Sequence, residues 1–156
     1  MAMAPKQFRY QDQDCPMTLC EGLREYYAGH PGLLQPDRME ADAARFFRSH
    51  DACHVLFGLD TTLVDEGLAD LWTLLATNVG FRRYAHDLRA NPAAKQITKE
   101  IGLLRVLRTT MQIIPFAITV FLRSRKMTGK WPWNSEDSYL NQPLNVIRNE
   151  FNIRIL

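Results

Sequence analysis

The chain has 156 residues and 46% apolar side chains, which fits one compact domain able to bury a core. Its net charge of +2 is too small to point to nucleic acid. Cys15, Cys20 and Cys53 form neither a disulfide framework nor a zinc knuckle, so a reducing, cytoplasmic setting is expected.

Helical periodicity dominates from the N-terminus onward. Residues 1–15 read as a poorly ordered arm with no signal-peptide pattern. A first helix over 17–28 places Leu19, Leu23, Tyr26 and Tyr27 on one face, and "GHPG" at 29–32 breaks it. Asp37, with Glu40 three residues later, is the candidate N-cap of a second helix that stops near Gly58. Thr61 or Thr62 caps a third helix, whose first turn holds Asp65 and Glu66 and which Gly80 ends. Short helices over 81–90 and 93–108 follow. Pro115 then either kinks a continuing helix or opens a new one. Residues 128–138 read as a loop, Pro143 as the start of a last short helix, and "FNIRIL" stays unassigned. The expectation is a single all-α domain of about six helices spanning residues 1–156.

Charge is unevenly distributed. Residues 37–70 hold eight acids against Arg38, Arg45 and Arg48, whereas residues 101–135 hold six basic residues and no acid. An acidic half suits a cation, and a basic half around an apolar run suits anionic lipid or phosphate. That run, residues 109–122, is shorter than the ~20 residues a membrane-spanning helix requires.

The stretch "SHDACHVLFGLDTTLVDEG", residues 49–67, concentrates the chemistry. A helical residue turns about 100° around the axis, so with His50 at zero Asp51 lies near 100° and His54 near about 40°. Two imidazoles four residues apart are the spacing by which one helix offers two ligands to one metal. Asp51 adds an oxygen ligand on the same side, and a tight hairpin would bring Glu66 back over the end of the second helix. Taken singly, each residue is more simply a solvated or structural group. Taken together, His50, Asp51, His54 and Glu66 are the candidate metal ligands and, through the metal, the candidate catalytic residues. Zinc, iron, manganese or magnesium is compatible with such a set.

The pattern His50-Asp51-x-x-His54, eleven residues, then Glu66 resembles the His-Asp-x-x-His-x(11)-Glu signature of the coenzyme Q biosynthesis protein 4 family. The resemblance is sharp over residues 46–75. It implies an all-helical fold with a metal, usually taken as zinc, on those four residues. It further implies a role in ubiquinone synthesis on polyprenylated ring intermediates, by oxidative decarboxylation at ring carbon 1 or by scaffolding. Implied partners are a polyprenyl quinone precursor or another isoprenoid lipid, the other enzymes of the pathway, and a membrane surface. The expected location is cytoplasmic and peripheral to the inner face of the membrane, and a homodimer is compatible with it.

On a helix, Met111, Ile114, Ile118 and Phe121 share a face and are candidates for one wall of an isoprenoid tunnel, an ordinary core helix being the alternative. Arg123, Arg125 and Lys126, with Trp131 and Trp133, are candidates for a membrane surface. A solvated basic flank and two crevice-filling indoles are the plainer reading. Three functions compete: a metal-dependent enzyme acting on a prenylated ring, a lipid-binding or scaffolding protein with a structural metal, and a His-Asp phosphohydrolase. The last needs further ligands, for which only His30 and Asp87 offer themselves, in poor contexts.

Overall fold

A computed structural model describes residues 6–33, 36, 39–90 and 103–156, and the side chains of the last segment from residue 108. Among these residues there are six helices and no strand: α1 (Leu19–Gly29), α2 (Ala41–Phe57), α3 (Leu63–Ala76), α4 (Phe81–Ala90), α5 (Leu103–Arg125) and α6 (Leu144–Glu150). Two short 3-10 turns, Arg9–Gln11 and Glu136–Tyr139, complete the set.

The helix ends follow local rules. Thr18 caps α1 by accepting from the Glu21 N–H, and the Glu21 carboxylate accepts from the Thr18 N–H in return. Gly58 ends α2 in the left-handed region, at φ 70°, where a side chain is disfavoured. Thr62 caps α3 by accepting from the Asp65 N–H. The second helix begins at Ala41, and Asp37, the expected cap, lies outside the described residues. Most of the helix expected over 93–108 also lies outside them, and its last residues belong to α5.

Pro115 neither breaks nor restarts α5, a 23-residue helix. It sits on the exposed side, where water can satisfy the Met111 carbonyl left without an N–H partner. Packing around the site is tight. Phe57 of α2 stacks on Trp72 of α3 with ring centroids 4.5 Å apart. Gly67 lets α3 approach α5 so closely that any side chain there would collide with Ile113. The C-terminal residues 151–156 form no strand; Ile153 and Ile155 are buried in the core.

Three expectations are corrected. Residues 6–15 are not a loose arm: Tyr10 is fully buried and its hydroxyl donates to the Leu59 carbonyl at 3.0 Å. Among the described residues, Met111, Ile114, Ile118 and Phe121 are enclosed neither in a tunnel wall nor in the core. They are 63%, 52%, 66% and 50% exposed, because the other side of α5, with Ile113, Phe116 and Val120, takes the packing role. Trp131 and Trp133 are not surface anchors. Trp131 is enclosed by Tyr139 and Phe151, and Trp133 by Phe46 and Tyr84.

One cation lies entirely inside. Arg148 of α6 is fully buried and donates to five backbone carbonyls: Leu56 at 2.9 Å, Val55 at 2.9 Å, Tyr10 at 2.7 Å, Gln13 at 3.4 Å, and Asp12. Burial pulls its pKa down to about 10, opposed by Cys15, Asp12 and Asp14, so it stays charged at neutral pH. Replacing it leaves buried carbonyls without donors, at a cost of about 1–3 kcal/mol each. Arg148→Met is therefore expected to destabilise the chain by at least about 3 kcal/mol in urea unfolding, and a loss under about 1 kcal/mol would contradict this role.

Candidate metal centre

The last two turns of α2 carry His50 and His54 at i and i+4, with ring centroids 4.9 Å apart. The link 58–62 reverses the chain, and the first turn of α3 brings Glu66 against them. One ligand atom from each of His50, His54 and Glu66 lies within 4.8 Å of the others, so these three residues form a group that can hold a metal ion.

The hydrogen bonds around His54 define its free nitrogen. Its Nδ1 is 2.9 Å from the Asp60 carbonyl, which can only accept, so Nδ1 carries the proton. In the neutral form of the ring, Nε2 is then the bare nitrogen. It is fully buried and has no hydrogen-bond partner. The nearest carboxylate oxygen, Glu66 Oε2, is 3.5 Å away, which satisfies an ion-pair distance but is too long for a good hydrogen bond. A lone pair facing a carboxylate is repulsive, and a cation between them turns both contacts into attractions. A ligating histidine whose other nitrogen donates to a carbonyl is the usual arrangement around a metal.

His50 is held differently. Its Nε2 is 3.5 Å from Asp70 Oδ1, and Phe46 stacks on the ring at 6.1 Å. Asp70 accepts a short hydrogen bond from the Tyr84 hydroxyl. Glu66 and Asp70 are one turn apart on α3, with side chains 38% and 47% exposed. The centre is therefore sealed on the α2 side and open to solvent along α3.

Asp51, the fourth expected ligand, is outside this group of three. It is buried, and its Oδ2 accepts from the Tyr27 hydroxyl of α1 at 2.7 Å. Burial raises its pKa, against the opposing pull of His50, Tyr27 and His54. Glu66 moves the other way: burial would raise its pKa, but the positive charge and hydrogen bond of the His54 ring in its protonated form, with the charge of His50, lower it below the ordinary value. Cys53, between the two histidines in sequence, is buried apart from them, and burial pushes its thiol up to about 12. Sequence reasoning missed Asp70, Tyr27, Tyr84 and Asp60. Asp70 was detectable as the residue four after Glu66, on the same face of α3. Nothing local marks the two tyrosines, which reach the centre from other helices.

Two nitrogens and one or two carboxylate oxygens suit zinc, iron or manganese by ligand type. Three protein ligands with an open side leave room for a water or a substrate oxygen, which is the catalytic form of such a site. Comparisons with family models, with curated proteins and with solved structures returned no match. No helix among the described residues is long and apolar enough to cross a membrane.

The pH dependence of binding follows from His50. Burial lowers its pKa, but the hydrogen bond to Asp70 and the charges of Glu66, Asp70 and Asp51 outweigh burial and push it up to about 9. A metal must displace that proton, so apparent zinc affinity is expected to fall about tenfold per pH unit below this value. Competition titrations across that range check it, and a flat profile would contradict it. Without metal, protonated His50 stabilises the fold fully below its ordinary pKa of 6.5, and this contribution is lost as pH rises through about 9.

Proposed function

We propose that this chain is a metal-dependent protein of ubiquinone synthesis that binds a polyprenylated ring intermediate. The observation that carries the reading is the buried, unpartnered Nε2 of His54 facing Glu66 across an open site. The His-Asp-x-x-His-x(11)-Glu pattern supports the pathway assignment.

On this reading His50, His54 and Glu66 hold the cation. An ion held by these three residues would supply Lewis-acid polarisation of a phenol or carboxylate oxygen of the ring. The proposed reaction is oxidative decarboxylation at ring carbon 1. The carboxylate leaves as carbon dioxide, water supplies the oxygen of the new ring hydroxyl, and dioxygen takes up the two electrons and two protons released and leaves as hydrogen peroxide. The chain's own residues prepare the site. Asp60 and Asp70 orient the two imidazoles, while Phe46 and Tyr26 shield them from water. Asp51 is held by Tyr27 and leaves the open side free.

The polyprenyl tail and the bilayer from which it comes are assigned to α5. Met111, Ile114, Ile118, Phe121 and Leu122 form an exposed apolar ridge, with Arg125 and Lys126 exposed at or just beyond the C-terminal end of the helix and Arg108 exposed nearer its start. An amphipathic helix with a cationic flank suits an anionic bilayer interface. On this reading the helix lies against the membrane, peripheral to it; what supports the link to the metal centre is that α5 packs behind the ligand-bearing turn of α3 at Gly67 and Ile113. The outward direction of the ridge also favours a second reading, in which the chain presents lipid to other pathway enzymes and the metal is structural.

Metal analysis of the purified chain beside His54→Ala, with mass measurement of extracted lipid, tests the assignment. Roughly one metal per chain in the wild type, lost in the variant, together with an isoprenoid lipid, is the expected result. Metal-free wild-type protein after growth with zinc and iron would sink it. For the bilayer contact, wild type should sediment with anionic vesicles and be released as salt rises. Arg125→Glu/Lys126→Glu and Ile114→Asp/Ile118→Asp should both stay in solution, and equal sedimentation of all three would remove α5 from the assignment. Arg123 is kept intact because it donates to the Arg154 and Ile155 carbonyls.

A further inference from the structure

His30 lies outside the motif and touches none of its residues in the hydrogen-bond pattern, yet it stands at the start of a chain of contacts that ends on a ligand. Its Nδ1 is 2.8 Å from the Tyr26 carbonyl and its Nε2 is 2.7 Å from Asp60 Oδ1. Both partners are oxygen acceptors, so each ring nitrogen faces a group to which it can donate. The same Asp60 oxygen accepts from the Thr61 N–H at 2.7 Å. The backbone carbonyl of Asp60 accepts from His54 Nδ1. The His30 ring is packed between Phe8 and Tyr26, each at 5.1 Å between centroids, and the His30 and Asp60 side chains are only 16% and 14% exposed.

We propose that His30 is a positioning residue of the metal centre: through Asp60 it fixes the link between α2 and α3, and so holds the carbonyl that orients the His54 ring. This rests on the reading of His50, His54 and Glu66 as metal ligands. The physical reason is economy of motion. The link after Gly58 is short, and Asp60 is the residue on it that bonds both to α1, by its side chain, and to a ligand, by its backbone. With the side chain anchored, the carbonyl points at Nδ1 and Nε2 points at Glu66. Released from His30, the Asp60 peptide can rotate, and the His54 ring loses the partner that sets its proton and its angle. Partners of this kind around metal-bound imidazoles typically change metal affinity 10–100-fold when removed.

The test is zinc affinity by competition with a chromophoric chelator, paired with the visible spectrum of the cobalt-substituted protein. His30→Leu, which removes both ring nitrogens, is expected to weaken zinc binding about tenfold and to alter the cobalt bands. Asp60→Ala should do the same, and the double variant should be no worse than either single one, because the two residues act in one chain of contacts. His30→Gln, which keeps an amide donor for Asp60, should recover most of the affinity. A side chain that served stability alone would change the melting temperature of these variants without changing the cobalt spectrum. Zinc bound by wild type, with His30→Leu and Asp60→Ala both within twofold of it, overturns the positioning role and leaves the metal centre standing. Equal zinc binding by wild type and His54→Ala overturns the metal centre, and the positioning role falls with it. Should His30→Leu fail to fold, Asp60→Ala and His30→Gln carry the same comparison.

Discussion

A guanidinium inside the core governs the arrangement of this protein. Burying a charge is expensive unless its hydrogen bonds are replaced in full. Arg148 meets that condition with backbone carbonyls from two distant segments. Val55 and Leu56 supply carbonyls from the last turn of α2, where a helix has acceptors without intrahelical partners and a partial negative charge. Arg148 is in effect a cap for α2 delivered from α6. The carbonyls of Tyr10 and Asp12 come from the N-terminal segment, which ties that segment to the end of α2.

The metal centre depends on the same end of α2. His54 is one residue before the carbonyls that Arg148 holds, and its own backbone carbonyl accepts from the Leu59 N–H at 2.8 Å. The two imidazoles are thus mounted on a helix turn fixed from below by a buried cation and from beyond by a clamped link. Glu66 stands on a capped helix start, locked against α2 by the Phe57–Trp72 stack. Rigid mounting of this kind preserves a ligand geometry before the ion arrives, which lowers the ordering cost of binding. The one side left unmounted is the exposed edge of α3, where Glu66 and Asp70 meet solvent.

The outer face of α5 obeys a different constraint. A helix needs only one stripe to join a core, and α5 gives Ile113, Phe116 and Val120 to that purpose. Its second stripe is equally apolar and stays exposed. Apolar area of this extent on one helix is uncommon without a partner. The two tryptophans nearby took the opposite course: they lie in the core, Trp133 against Phe46 of α2 and Tyr84 of α4, and Trp131 against Tyr139 and Phe151.

The sequence by itself determined the helical class, most helix ends and the core of the site. Those features are written in local chemistry: a Thr-x-x-Glu box at 18–21, a glycine at 58 that can adopt positive φ, and histidines four residues apart. The hairpin that brings Glu66 to His54 also followed, because five linking residues leave little choice of path. Tertiary structure alone decided the rest. Which stripe of α5 faces inward could not be read from a helix apolar on both sides, since periodicity marks a face without saying what covers it. That Asp51 turns to Tyr27, that Asp70 and Tyr84 attend His50, and that His30 reaches His54 through Asp60 all depend on side chains from separate helices meeting across tens of residues. No local pattern encodes such meetings; they exist because Arg148 and the packed core bring those helices together.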